Sequence, residues 1–241
     1  MDKTALITGA ANRIGAEISR HLHRDGFRVA IHYNTSAAAA EKLATSLNDI
    51  RPESAFCIQG NLNLAETSRA LVDEVAERWG RLDVLVNNAS VYEPSDAGIP
   101  DVDLFEALIV TNLRAPYLLS GAAVPLLRES RGTIINLTDI SASRPQPGYA
   151  VYCASKAGLI GLTKALARDL APLVRVNGVS PGAIIWAEEE TLEHREVVIQ
   201  NTPLARLGKT SDIAQAVSYL VSAPYVTGHI LEIDGGRSIH I

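Results

Sequence analysis

The 241-residue sequence predicts a Rossmann-type α/β fold: one domain with a doubly wound, parallel, seven-stranded sheet and helices on both faces. Three observations predict it. Short apolar runs alternate with longer amphipathic stretches from end to end, the pattern of repeated strand–helix units. The runs suit strands buried on both faces, as in a parallel sheet. The first run also leads directly into a glycine turn and then a helical repeat.

Taken in order, Thr4 to Ile7 is the first strand and Gly9 to Gly15 the turn; Ile14, Ile18 and Leu22 mark a helix that Asp25-Gly26 ends. Arg28 to His32 is the second strand, and an Ala-rich helix covers about Ser36 to Asn48. Ser54 to Gln59 is the third strand, Leu64 to Trp79 a helix, and Val84 to Asn87 the fourth strand, with Gly80-Arg81 punctuating the turn before it. Two helices follow, roughly Val102 to Leu113 and Pro116 to Glu129, then the fifth strand at Thr133 to Leu137. A loop rich in Ser, Pro and Gly, Ser141 to Gly148, feeds a long helix from about Tyr149 to Leu170. Val174 to Val179 and His229 to Ile233 supply the last two strands, with a helix at Ser211 to Ser222 between them. No linker or repeat divides residues 1–241, so a single domain is expected. Residues about 183–207 lack clean periodicity and carry Glu188-Glu189-Glu190, which suggests a substrate flap.

Composition excludes several classes. Apolar residues make up 47% and charged residues 20%, so the chain should fold rather than remain disordered. A formal net charge of −5 without basic blocks argues against nucleic acid or an anionic membrane as partner. Cys57 and Cys153 stand far apart, and the histidines show no ligand spacing, so neither a disulfide scaffold nor a metal site is indicated. A reducing, cytoplasmic location fits. The N-terminus enters a strand directly, and no run has signal-peptide or membrane-spanning length.

The turn Gly9-Ala10-Ala11-Asn12-Arg13-Ile14-Gly15 lies where loop amides and a helix dipole can hold a pyrophosphate. A glycine turn by itself has ordinary steric explanations; its position after the first strand gives it weight. Arg13 adds a cation, and its bland reading is a solvated helix start. At the end of the second strand a carboxylate would bind the ribose of NAD. Here His32-Tyr33-Asn34-Thr35-Ser36 is neutral and rich in donors, so NADPH is the expected cofactor, although Asn34 to Ser36 could equally cap a helix.

Tyr152 and Lys156 are spaced i, i+4 on the long helix and project from one face. An ammonium nearby would lower the phenol's pKa and suit it to proton transfer. The pair alone commonly decorates a solvated face. Together with Thr8-Gly9 to Gly15, Asn87-Asn88-Ala89, Asn112 and Ser180-Pro181-Gly182, it resembles the short-chain dehydrogenase/reductase family along the whole chain. The resemblance implies that Tyr152 passes a proton to substrate, Lys156 holds the cofactor ribose, and Asn112 orders a water relay. It also implies cofactor contacts from Gly9, Arg13, Ile14, Gly15, Asn88, Ala89, Ser90, Pro181, Gly182 and Ile184, and a homotetramer in which Gly158, Gly161 and the tail at Ile239 to Ile241 permit close contact.

Thirteen residues before the tyrosine, where most of the family has serine, stands Asp139. A carboxylate accepts hydrogen bonds and suits a substrate with ring N–H and amino donors better than a developing oxyanion. A pterin is such a substrate. Asp139, Arg13 and Asn88-Ala89-Ser90 followed by Tyr92 resemble the pteridine reductase branch, including bacterial members and dihydromonapterin reductases. That resemblance implies a pterin or folate bound by Arg13, Ser90, Tyr92, Asp139, Tyr152 and Trp186, with Tyr92 stacking on its ring. Where many relatives have Asp-Leu against the adenine, this chain has Asn61-Leu62. Two rival readings remain: a β-ketoacyl or other ketone reductase with Asp139 as an isolated replacement, and a non-catalytic cofactor-binding regulator.

Overall fold

The apolar runs form the strands of one parallel sheet. In the computed structural model, which describes residues 2–186 and 191–239, these are β1 (Thr4–Ile7), β2 (Arg28–Tyr33), β3 (Ala55–Gln59), β4 (Val84–Asn87), β5 (Thr133–Leu137), β6 (Arg175–Pro181) and β7 (Ile230–Ile233). The order across the sheet is β3-β2-β1-β4-β5-β6-β7, and every pairing is parallel. The chain starts at β1, winds outward to β3, then crosses back to β4 beside β1. Loops on either side of that crossover diverge at the carboxyl ends of the strands and leave a crevice.

Side-chain alternation along each strand builds two cores. Ala5 and Ile7 point to one face with Val29 and Ile31, where α1 (Arg13–Arg24), α2 (Ala37–Ile50) and α8 (Thr210–Ser222) cover them with Ile18, Leu22, Leu43, Leu47, Ile213 and Val217. Leu6, Ala30 and Leu85 point to the other face, against Leu71 and Val75 of α3 (Ala65–Trp79), Leu119 and Leu127 of α5 (Ala115–Ser130), and Leu170 of α6 (Ala150–Leu170). Each large aliphatic chain buried this way contributes roughly 1.5–3 kcal/mol relative to exposure, which is what holds the helices to the sheet.

One expectation about elements needs correction. The helices expected at 102–113 and 116–129 are one rod: α4 (Val102–Ile109) passes through a π turn (Val110–Arg114) into α5. Pro116 does not break the rod because it sits in the first turn after the π turn, where Ala115 N–H reaches back to the Val110 carbonyl. The shifted register leaves the proline a place where no donor is required. Rod residues Val102–Ser130 are long and apolar enough to cross a membrane, but Leu108, Leu119, Ala123 and Leu127 pack inside the fold.

Residues 183–207, the expected flap, contain α7 (Leu192–Gln200), capped where Thr191 accepts from the His194 N–H at 3.2 Å. Val198 is its one buried residue among those described, too little apolar surface to produce a readable period. Glu188, Glu189 and Glu190 lie outside the described residues.

Candidate active site

The crevice is a cavity of about 830 Å³ that runs from the glycine turn to the start of α6. At one end, Gly9 takes a positive φ of 60° and Gly15 packs so closely that a Cβ would stand 2.3 Å from the Gly9 carbonyl oxygen. Asn88, at the end of β4, latches the turn: its Nδ2 donates to the Thr8 and Gly9 carbonyls at 2.8 and 3.0 Å. Arg13 is also left-handed, with φ 51°, which side chains other than glycine adopt at a cost of about 1–2 kcal/mol.

Of the residues expected at the nucleotide end, Gly9, Arg13, Ile14, Gly15, Asn34, Asn61, Leu62, Asn88, Ala89, Ser90, Pro181, Gly182 and Ile184 line this cavity. Tyr33, Thr35 and Ser36 are not in the lining; Tyr33 packs against the core, and Ser36 precedes α2 without a side-chain capping bond. Gly9 contributes no free N–H, since that donor goes to His32 Nδ1 at 3.1 Å. Among the described lining residues Asp139 is the sole carboxylate, while Arg13, Arg144, Lys156 and Arg237 are basic. A polyanionic dinucleotide therefore fits this end of the cavity, in a chain that is acidic as a whole.

At the other end, Tyr152 Oη donates to Asp139 Oδ2 at 3.0 Å. Asp139 Oδ1 accepts from the Ser141 N–H at 2.8 Å and so caps a 3₁₀ turn (Ile140–Ala142), which fixes the carboxylate's orientation. Lys156 is 2% exposed and donates from Nζ to the Leu137 carbonyl at 2.9 Å. Burial lowers its pKa to about 8, against the opposing pull of the Asp139 charge.

The phenol behaves differently from the expectation. Burial, then the Asp139 charge and the hydrogen bond to it, raise the Tyr152 pKa above its ordinary value. With the carboxylate accepting from the hydroxyl and the ammonium bonded to the Leu137 carbonyl, Tyr152 is held as a protonated donor.

Asn112 sits in the π turn, 1% exposed. Its Oδ1 accepts from Ser90 Oγ at 3.0 Å and Val91 N–H at 2.9 Å; its Nδ2 donates to the Val91 carbonyl at 2.9 Å and Ser155 Oγ at 3.1 Å. All the amide's capacity is thus spent on tying the β4 loop to α6, and its side chain is absent from the cavity lining. Ser90's hydroxyl is likewise engaged. Tyr92 lines the cavity at 46% exposure, stacked on Tyr149 with centroids 4.5 Å apart and edge-on to Tyr152 at 4.7 Å. Trp186 lines the cavity with the Arg195 guanidinium 5.4 Å from its ring centroid.

Sequence reading overlooked Tyr149, which takes one face of Tyr92, and Arg144, Gln146, His194 and Val198 in the lining. Gln146 accepts from Tyr92 Oη at 3.2 Å. The first of these could have been found from its place just before the Tyr152 helix; Arg144 and Gln146 belong to a loop and His194 and Val198 to α7, whose approach depends on tertiary packing. Gly158 admits Leu113, which a Cβ would meet at 2.9 Å.

Comparison with known proteins places this geometry in context. A family profile described as enoyl-(acyl carrier protein) reductase matches residues 9–238. A 3-oxoacyl-[acyl-carrier-protein] reductase from Staphylococcus aureus is 38% identical over 98% of each chain. Pteridine reductase 1 from Leishmania tarentolae is 37% identical over 98% of this chain and 96% of its own. A putative ketoacyl reductase of granaticin polyketide synthesis from Streptomyces violaceoruber is 35% identical over 98% of this chain and 96% of its own.

Proposed function

The chain belongs to the short-chain dehydrogenase/reductase family of oxidoreductases, whose members use nicotinamide cofactors, and on that footing we propose that it is an NADPH-dependent pteridine reductase. The observation that carries this reading is Asp139: a fixed carboxylate, hydrogen-bonded to Tyr152 Oη, in the cavity where the reacting group must lie. Whole-chain identity does not separate a pteridine reductase from a 3-oxoacyl reductase, at 37% and 38%, so the site has to.

When bound, NADPH would supply the hydride that reduces a pterin C=N bond. The protein's side chains hold the substrate and deliver the proton. Asp139 Oδ2 accepts from the pterin's amino or ring N–H donors, a task that would be reversed, and repulsive, toward the oxyanion of a reduced ketone. Tyr152, kept protonated by burial and by Asp139, donates to N8 when C7 is reduced. For the dihydro to tetrahydro step at C6, N5 lies on the far side of the ring, and water is the donor. Lys156 and Arg13 would hold the cofactor's ribose and phosphate, Asn34 would accommodate the 2′-phosphate in place of a carboxylate, and Asn112 positions the Ser90 to Tyr92 loop. Tyr92, backed by Tyr149 on one face, offers its other face to the pterin.

The neutral end of β2 and the basic lining support NADPH over NADH. Two free cysteines accord with a reducing cytoplasm. A homotetramer would cover Phe105 and Tyr117, both about half exposed on the α4–α5 rod.

The second reading, a 3-oxoacyl-thioester reductase, draws on the 38% identity to the Staphylococcus aureus enzyme. The test is NADPH oxidation by the purified protein with dihydrobiopterin, dihydromonapterin, dihydrofolate or acetoacetyl-CoA, beside Asp139→Ser. Turnover of pterins, lost in the serine variant, is expected. Turnover of the thioester alone, unharmed by serine, would reverse the assignment, and NADPH binding with no turnover at all would point to a regulator.

A further inference from the structure

His32, at the end of β2, is 2% exposed and has no part in the chemistry described above, yet its ring joins two loops that flank the cavity. Nδ1 faces the Gly9 N–H at 3.1 Å, and Nε2 faces the Gly60 carbonyl at 3.0 Å. An N–H can only donate and a carbonyl only accept, so both bonds hold together in one state alone: a neutral imidazole carrying its proton on Nε2. The His32 main chain adds a third tie, its carbonyl accepting from the Ala10 N–H at 2.8 Å. Gly9 begins the glycine turn, and Gly60 leads into Asn61 and Leu62. The ring therefore sets the distance between the loop that faces a pyrophosphate and the loop that faces an adenine.

We propose that His32 is a positioning residue for the dinucleotide, clamping the glycine turn to the β3–α3 loop as a neutral imidazole, and that its protonation in mild acid releases the turn and weakens cofactor binding. This rests on the NADPH reading given above. A second proton has only Nδ1 to occupy, where it would confront the Gly9 N–H and break that bond. Burial already disfavours the charged ring and lowers its pKa, with the Gly60 bond opposing.

The surroundings leave the ring as the group that titrates. The end of β1 brings Ile7 and Thr8, β3 brings Ile58 at the paired position, and α3 brings Thr67 and Leu71 beside Gly60. Cys57 alternates to the opposite face of the sheet, and its thiol is pushed up by burial, with a further push from Glu41. In the glycine turn, Arg13 brings a guanidinium. A protonated His32 would also add a positive charge near bound phosphate, which acts in the opposite direction. Because Nδ1 is directed at the loop amide, loss of the clamp is the effect that dominates.

The test is direct NADPH binding by isothermal calorimetry to the full-length wild type, His32→Asn and His32→Leu at about pH 7.5 and about pH 5. Asparagine keeps an acceptor for the Gly9 N–H and does not titrate; leucine keeps neither bond. Acidification titrates the cofactor's own 2′-phosphate equally in all three proteins, so the asparagine variant subtracts it. The wild-type Kd is expected to rise on acidification about tenfold more than that of His32→Asn. At the higher pH His32→Leu should bind about tenfold more weakly than wild type, and His32→Asn should recover most of that loss. KM for NADPH should move with these Kd values while kcat at saturating NADPH moves far less.

Nitrogen NMR of the wild-type imidazole should show the Nε2–H tautomer at neutral pH. Equal pH responses in wild type and His32→Asn, a tightening on acidification, or the Nδ1–H tautomer would each overturn the proposal. These readouts stand even if His32→Leu does not fold. A folded wild type that binds no NADPH at either pH would instead overturn the cofactor assignment.

Discussion

At the residue scale, Asp139 carries two duties that substitutions can separate. It caps the 3₁₀ turn through Oδ1 and holds Tyr152 through Oδ2. Serine can cap, so Asp139→Ser should keep its melting temperature, whereas Asp139→Ala should lose about 1 kcal/mol in urea denaturation. Both should lose turnover of an oxidised pterin, the step in which Tyr152 is the donor, by roughly 10²–10⁴-fold, the usual worth of a positioned acid–base group. Without the carboxylate's charge, the Tyr152 phenol titrates lower, and the alkaline limb of the pH–rate profile should move down. Arg13 makes a second test. Its left-handed backbone is a strain that glycine does not feel, so Arg13→Gly should be more stable than Arg13→Ala by about 1 kcal/mol while both weaken NADPH binding. Equal stability of the two variants would mean that φ of 51° carries no cost in this turn.

At the element scale, the π turn earns its place through Asn112. One wide turn in a long helix aims this amide at the β4 loop and at α6 together, and four hydrogen bonds depend on it. Asn112→Ala leaves the Val91 main chain and two hydroxyls without this partner. A loss of about 2–4 kcal/mol in urea denaturation is expected, together with a raised KM for substrate as the Tyr92 loop loosens. If stability is unchanged and only kcat falls, the amide acts on the chemistry and not on the loop.

At the scale of the whole molecule, two buried histidines make stability depend on pH. His23, paired with Ser54 at 2.7 Å, and His32 both have lowered pKa values, chiefly through burial. Their unfolded values are near 6.5, so below that pH the unfolded chain binds more protons than the folded one. The stability these residues contribute is present above about pH 6.5 and is lost as pH falls through and below it. The urea midpoint should drop between about pH 7 and about pH 5, with a shallower drop in His23→Asn, provided that variant folds. An unchanged slope would show that the carboxylates govern the acid limb.

The strands, their parallel arrangement and the two-faced burial were legible in the sequence because runs such as Thr4–Ile7 and Val84–Asn87 are buried throughout, and local hydrophobicity encodes that directly. The placement of Tyr152 and Lys156 on one helix face was legible for the same local reason, a fixed helical period. What the tertiary structure decided are the relations between segments distant in the chain. The stretch 102–129 reads locally as two helices, roughly Val102 to Leu113 and Pro116 to Glu129, whereas the π turn that joins them holds Asn112, whose bonds reach residues 21 to 43 positions away. The Tyr152 phenol rises and does not fall because the closed fold buries it and because Asp139, not Lys156, bonds its hydroxyl. His32 was legible only as a neutral strand end; its clamp spans separations of 23 and 28 residues. Periodicity and propensity act over a turn or a strand, while electrostatics and hydrogen bonding act through space, so the fold class was written locally and the chemistry of the site arises only when the chain closes on itself.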